Sequence, residues 1–401
     1  MILLLLACQS DPVVLDSTPE REMVELSLMP WVVVTGADSA LIRFETLDQD
    51  VELPVTLWIG DDDPVTLTPE RRGIESDYAF PLEEWDLDVD HPDLPGLRVL
   101  HELALTDLPA ETPIGWRVER YGGEFEEGVF QLAGERDFVA VFTGDTMSPK
   151  LDEVVDLAAP VQPDLYIHGG DLQYQSNPLD TWGGLMASLQ PLTAQAPFMP
   201  AIGNHEHEDY DEFAVMYTRM FEGAGGKADA DYYGFTYGGV RFLALNTESS
   251  ASLGDPESAQ TAWLKQELED HRDGVVVAYF HRPIITLAKH EPRMDLRERL
   301  HPLFVEYGVD LVLTAHNHSY ERFELDGVPY VVDGGGGALL YAVSQNEEKF
   351  PEDAAHRLAF EKSMGFTALQ FTSEDILLTR TNLDGEEIDS VALPYRQAQD
   401  L

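Results

Sequence analysis

The feature that most constrains the fold is a change of rhythm near residue 134. From Phe138 onward, short and almost wholly apolar runs alternate with segments of helical periodicity. The runs are 138–142, Leu165–His168, Val240–Leu245, Val275–Phe280, Leu311–Thr314 and 330–332. The helical segments are 151–159, 257–271 and 296–307. A strand that is apolar at every position is covered on both faces, as in sheets flanked by helices. Strand-then-helix repetition therefore predicts an α/β architecture with functional groups at the carboxyl ends of the strands. The closing stretch, 366–393, returns to strands around Asp384-Gly385.

Ahead of that change the pattern differs. Residues 25–133 hold short alternating strands, such as 40–45, Val55–Ile59 and 116–120, with little helical periodicity. That pattern predicts an N-terminal β-sandwich of fibronectin III-like type. Gly134-Glu135-Arg136-Asp137 marks the boundary, and the second domain is assigned to 136–396. Residues 8–24 are polar and contain proline, as a tether does. The chain opens Met-Ile-Leu-Leu-Leu-Leu-Ala-Cys, and its apolar run is too short to span a bilayer. It reads as the end of a signal peptide over 1–7. Leu5-Leu6-Ala7-Cys8 resembles a bacterial lipobox, which implies a lipidated Cys8. The expected place is then the bacterial cell envelope, in the outer membrane or periplasm, or else secretion.

Cys8 is the single cysteine, so intrachain disulfides and thiol catalysis within the fold are excluded. The 25 Lys and Arg against 74 Asp and Glu give a formal charge of −49. A chain this acidic repels nucleic acid, which is excluded as a partner, and no protein partner is inferred.

Five polar motifs close the apolar runs of the second domain. They are Gly144-Asp145-Thr146, Gly170-Asp171-Leu172-Gln173-Tyr174, Gly203-Asn204-His205-Glu206, Phe280-His281-Arg282-Pro283 and Ala315-His316-Asn317-His318. Leaving His205 and Glu206 aside, they offer two carboxylates, a phenol, an amide oxygen and three imidazoles. This mixed oxygen and nitrogen set suits iron, zinc or manganese, and the lack of thiolate excludes copper(I) and iron–sulfur clusters. Alternate residues of an extended segment point the same way, so His316 and His318 can face one site.

The ordered series GD, GDxxY, GNHE, H and HxH resembles the calcineurin-like metallophosphoesterases, and more closely their purple acid phosphatase branch. Where the wider family carries a histidine two residues after its first Asp, this chain has Met147. The purple branch also lacks that histidine and supplies a tyrosine three residues after the second Asp, as Tyr174 follows Asp171 here. Residues 316–322, HNHSYER, and the four glycines at 334–337 resemble further stretches of that branch.

The resemblance implies a four-layer α/β/β/α domain with a dimetal site. Asp145, Asp171, Tyr174 and His318 would hold the first metal, Fe(III), with Asp171 bridging. Asn204, His281 and His316 would hold the second, which would be Zn, Mn or Fe(II). The implied activity is a metal-dependent acid phosphomonoesterase on small phosphate esters, with in-line attack by hydroxide generated at the metal pair. His205 would protonate the leaving group, and His290 would contact substrate. Two alternatives stand beside it: a metallophosphodiesterase acting on nucleotides or phospholipid head groups, and a non-catalytic surface binding protein.

Overall fold

The computed structural model describes residues 23–47, 51–75, 97–135, 137–147, 150–172, 174, 178–207, 211–228, 231–248, 253, 255 and 257–396. The signal segment, Cys8 and most of the proposed tether lie outside the described residues.

Eight strands come first: β1 (Leu26–Gly36), β2 (Ser39–Thr46), β3 (Val55–Ile59), β4 (Val65–Leu67), β5 (Glu70–Glu75), β6 (Leu97–Leu105), β7 (Ile114–Glu119) and β8 (Phe125–Phe130). They form two four-stranded sheets, ordered β1-β2-β6-β5 and β4-β3-β7-β8, with antiparallel pairing throughout. Side-chain alternation explains why they pack. In β7, Ile114, Trp116 and Val118 are buried and their neighbours are not.

The remaining strands are β9 (Phe138–Thr143), β10 (Leu165–His168), β11 (Phe198–Pro200), β12 (Tyr233–Tyr237), β13 (Val240–Leu245), β14 (Val275–Phe280), β15 (Leu311–Thr314), β16 (Tyr320–Leu325), β17 (Val328–Asp333), β18 (Arg357–Glu361), β19 (Gly365–Phe371), β20 (Asp375–Asn382) and β21 (Glu387–Pro394). One sheet runs β11-β10-β9-β19-β20-β21, and the other β12-β13-β14-β15-β17-β16-β18. Strands β9, β10 and β11 are mutually parallel, as are β13, β14, β15 and β17, while the outer strands pair antiparallel.

The main helices are α1 (Lys150–Ala158), α2 (Pro178–Thr193), α3 (Asn204–His207), α4 (Asp211–Phe221), α5 (Ala259–Asp270) and α6 (Met294–Tyr307). Strand β14 shows how the layers arise. Val275, Val277 and Tyr279 join the core between the two sheets, with Val141 and Leu369. Val276, Ala278 and Phe280 join a separate cluster with Leu264 and Leu268 of α5 and Leu300 and Phe304 of α6. Each Val, Leu or Phe side chain so taken out of water contributes about 1.5–3 kcal/mol. The expected four layers are therefore built from strands that are apolar on both faces.

Helix α2 has no counterpart among the segments of helical periodicity. Helix α2 carries Gly183, Gly184 and Pro191, all poor helix formers, and it forms because tertiary packing on β1 overrides propensity. Helix α4 follows the GNHE motif and anchors the sandwich. The Met220 carbonyl accepts from Trp31 Nε1 at 3.2 Å and from Arg43 Nη1 at 2.9 Å. Beside it, Glu45 is fully buried and pairs with Arg98 at 2.6 Å and with Arg219 of α4 at 2.8 Å.

Candidate metal centre

The predicted donors sit where strands of the two large sheets end side by side. Asp145 follows β9, Asp171 follows β10, and Asn204 opens α3 after β11. His281 follows β14, and His316 and His318 lie between β15 and β16. The sheets approach so closely here that a Cβ at Gly144 would stand 2.4 Å from that of Ala315. A Cβ at Gly336 would stand 2.4 Å from the Gly144 carbonyl, which accepts from Gly336 N at 2.9 Å. The late glycine run thus wraps the first Gly-Asp loop.

Backbone strain collects at the same place. Asp145, Asp171 and His316 hold φ of 57°, 54° and 66°. Non-glycine residues persist in that region only where their surroundings over-determine them. Those surroundings are visible. His316 N donates to Asp145 Oδ2 at 2.6 Å, and His205 N donates to Asp171 Oδ1 at 2.8 Å. Each carboxylate spends one oxygen on backbone and turns the other inward.

The inward atoms form two groups. In the first, the Tyr174 hydroxyl lies 2.5 Å from Asp145 Oδ1, 3.2 Å from Asp171 Oδ2 and 3.1 Å from His318 Nε2. His318 Nε2 lies 3.2 Å from Asp145 Oδ1. In the second, His281 Nε2 lies 3.2 Å from Asp171 Oδ2, 3.0 Å from Asn204 Oδ1 and 3.1 Å from His316 Nδ1. Asp171 Oδ2 belongs to both groups. All seven predicted donors are therefore brought together. Ligand atoms of Asp171, His281 and His316 fall within 4.8 Å of one another.

The tautomers test whether a cation fits. His281 Nδ1 contacts the Gly169 carbonyl at 3.0 Å, and His318 Nδ1 contacts the Leu339 carbonyl at 2.7 Å. A carbonyl only accepts, so each Nδ1 carries hydrogen and each neutral ring turns its Nε2 lone pair inward. There it meets carboxylate, amide and phenol oxygens. Such a cluster of acceptors is stable only around protons or metal ions.

The electrostatics agree. Burial lowers the pKa of His281, yet Asp171 overrides it and raises it to about 10. Burial raises Asp145, but His318 and His281 beside it hold its carboxyl below the usual range. Burial, then the charges of Asp145 and Asp171, push the Tyr174 phenol far up, so a phenolate here requires a strong cation.

The two expected substrate histidines flank this cluster. His205 is 41% exposed on its side chain, with its ring 4.2 Å from that of Tyr174 and Nε2 3.9 Å from Asp171 Oδ2. His290 is half-buried on the other flank, its ring 4.4 Å from that of His316. Buried Asn317 fixes it: Asn317 Oδ1 accepts from His290 N at 2.8 Å, and Nδ2 donates to the His290 carbonyl at 3.0 Å. His168 behaves as a core residue. It accepts from Gly170 N at 3.1 Å, and burial lowers its pKa to about 3.

Two residues without an assigned role complete the walls. The fully buried Glu206 accepts from Asp171 N and Gly203 N at 2.9 Å and from Leu172 N at 2.8 Å, tying two ligand loops together. Burial, then Asp171, push its carboxyl up to about 8. Tyr341 stacks on His318 at 4.0 Å and 14°. The Glu206 position was readable from its place in the GNHE motif. Tyr341 had no such signal, since only the fold returns it to His318, whose carbonyl accepts from its N–H.

Comparison with known proteins follows the same lines. Residues 139–320 match the family model of the calcineurin-like phosphoesterases. An uncharacterized protein of Mycobacterium tuberculosis is 28% identical over 270 residues, covering 56% of this chain and 51% of its own. Tartrate-resistant acid phosphatase type 5 of Oryctolagus cuniculus is 31% identical over 158 residues, covering 39% of this chain and 48% of its own. This chain thus spans about half the length of the curated relatives it matches. Among solved structures, purple acid phosphatase PPD1 of yellow lupin superposes with a TM-score of 0.72 at 19% identity. The match covers 91% of this chain and 74% of that one. PhoD superposes at 0.62 and 12% identity, over 93% and 94%. Both likenesses are likenesses of fold.

Proposed function

Because the chain belongs to the calcineurin-like metallophosphoesterases, in their purple acid phosphatase-like branch, we propose that it is a dimetal hydrolase of phosphoric monoesters working at acid pH. The observation that carries this is the sharing of Asp171 Oδ2 between two groups of inward lone pairs. Asp145, Asp171, Tyr174 and His318 would hold Fe(III). Asp171, Asn204, His281 and His316 would hold Zn, Mn or Fe(II). When bound, such a pair supplies hydroxide at low pH and neutralises charge on the phosphoryl group.

The chain's own residues do the rest. His205, exposed beside Tyr174, is placed to give a proton to the leaving oxygen. His290 is placed to hold a phosphoryl oxygen from the opposite flank. Glu206 and Asn317 keep the loops still, so little ordering remains to be done when substrate binds. We place this activity in the unit 136–396, behind the sandwich.

The test is metal content together with turnover of a mono- and a diester aryl phosphate from about pH 4 to 9. The expected result is about two metal ions per chain, at least one of them iron, with the monoester favoured and an acid optimum. A metal-loaded chain that turns over neither ester overturns the reading, and a preference for the diester moves it to a phosphodiesterase. Among the described residues, no helix is long and apolar enough to cross a membrane. We place the chain in the bacterial envelope through a lipid on Cys8. Unchanged membrane association of a Cys8→Ser variant would refute that anchor.

A further inference from the structure

A cation stands at the mouth of the metal centre that neither metal binding nor proton transfer uses. The Lys289 ammonium sits over the Tyr341 ring, 4.0 Å from its centroid. The same ring stacks on His318, also at a centroid distance of 4.0 Å, so Tyr341 is a spacer between a predicted metal ligand and the lysine. His290, next in sequence, packs its ring edge-on to Tyr341 at 5.2 Å.

The position is built. Leu287 N donates to Glu321 Oε1 at 3.0 Å, and Thr286 Oγ1 donates to Glu321 Oε2 at 2.5 Å. Asn346 Nδ2 donates to the Ala288 carbonyl at 2.6 Å and to that of Lys289 at 3.3 Å. Asn317 holds His290 on the other side. Glu321, Asn317 and Asn346 are all buried, so the short segment carrying Lys289 is clamped at every residue from 286 to 290.

Charge makes the placement telling. The chain has 25 cationic side chains against 74 anionic ones. Arg282, the other cation beside the histidines, is committed to Glu248 at 2.6 Å. Among the described residues no carboxylate pairs with Lys289, and its exposed head has an aromatic face behind it and solvent before it. In so acidic a molecule, an unpaired ammonium beside a phosphoryl site lowers the local barrier to an anion.

We propose that Lys289, seated on Tyr341, is an anion subsite that selects phosphate esters carrying a second anionic group, a phosphate or a carboxylate, near the reacting phosphoryl group. The proposal rests on the phosphoesterase reading and names the substrate class of that same site. The phosphoryl group lies over the predicted metal ligands. The second anion lies one ring's thickness away, over the lysine. An ester without that anion gains nothing from Lys289.

The test uses the full chain with its metals and two readouts. The first is a ratio: kcat/KM for a substrate with a second anionic group, either inorganic pyrophosphate, an anhydride, or the ester 3-phosphoglycerate, over kcat/KM for an aryl phosphate. In Lys289→Gln the ratio falls roughly 5- to 10-fold, as expected for loss of one charge-assisted contact, and the fall is in KM. Lys289→Arg keeps the charge and restores most of it. A fall with pyrophosphate alone assigns the subsite to phosphate, and with 3-phosphoglycerate alone to carboxylate. The second readout is calorimetric binding of pyrophosphate against orthophosphate, which needs no turnover. Pyrophosphate binds more tightly to the wild type, and Lys289→Gln removes the difference. A ratio unchanged for both substrates in Lys289→Gln, or an arginine variant as impaired as the glutamine one, overturns the subsite, and equal binding of the two phosphates overturns phosphate as its second anion. Turnover of the aryl phosphate reports separately on the phosphoesterase reading.

Discussion

Two buried polar clusters lie in this molecule, and they are balanced in opposite ways. Where the sandwich meets α4, the buried carboxylate of Glu45 is flanked by Arg98 at 2.6 Å and Arg219 at 2.8 Å, and Arg43 pairs with Glu102 beside it at 2.5 Å. At the metal centre, Asp145 and Asp171 are just as buried, but their close side-chain neighbours are a phenol and imidazoles. The first cluster brings its own fixed cations, since guanidinium stays charged at any working pH. The second brings groups whose charge is negotiable. A fold that can place two arginines around one glutamate could have neutralised Asp171 in the same way. Leaving it to histidines makes the cluster dependent on an ion from outside.

The comparison breaks most visibly at Asp171. Asp171→Asn removes the charge and, with the remaining oxygen held by His205 N, puts an amide nitrogen where the shared oxygen stands. We expect metal content to fall below two ions per chain and turnover to drop by more than about 100-fold, with circular dichroism unchanged. A fully active variant with two bound metals would show that Asp171 Oδ2 bridges nothing.

The mirror experiment is Glu45→Gln. It leaves Arg98 and Arg219 buried without a counter-charge, which costs about 3–5 kcal/mol. The expected outcome is a clear fall in melting temperature with metal content per folded chain intact. If the variant keeps its stability but loses metal, the two clusters are coupled through α4 and are not independent.

Legibility divides along the same line. The convergence of the seven proposed donors was readable because each follows an apolar strand, and strand ends are where a parallel sheet gathers side chains. The ionic cluster was not readable. Glu45 sits in an alternating strand, Arg98 is the second residue of β6, and Arg219 lies in α4, with no pattern to mark it as buried. In sequence all three look like solvated surface charges, and only docking of the sandwich on α4 buries them. Lys289 and Tyr341 were hidden for a related reason. Their meeting depends on a loop closure between 287 and 346, which no local pattern encodes.

The smallest expected effect separates the clusters by pH. In the sandwich, burial first and Arg71 second lower the pKa of His101 from 6.5 to about 4. Its ring stacks on Phe44 at 4.6 Å and its Nε2 contacts Thr46 Oγ1 at 3.0 Å. The folded state therefore prefers the neutral ring. That preference stabilises the fold fully above pH 6.5 and is lost as pH falls from 6.5 through 4, by up to about 3 kcal/mol. At the metal centre of the metal-free chain the sign reverses. His281, raised to about 10, stabilises the fold fully below pH 6.5 and loses that contribution as pH rises through 10. A metal ion competes with that proton, so metal loading should flatten the alkaline side of the stability profile, while loss of the metal as its ligands protonate should steepen the acid side. His101→Phe keeps the stack on Phe44 and removes the titration, so it should flatten the acid side alone. Melting temperatures of wild type and variant, with and without metal, between about pH 4 and 10 decide it. If metal loading flattens the acid limb, or His101→Phe the alkaline one, the two clusters do not answer to pH through the groups named here.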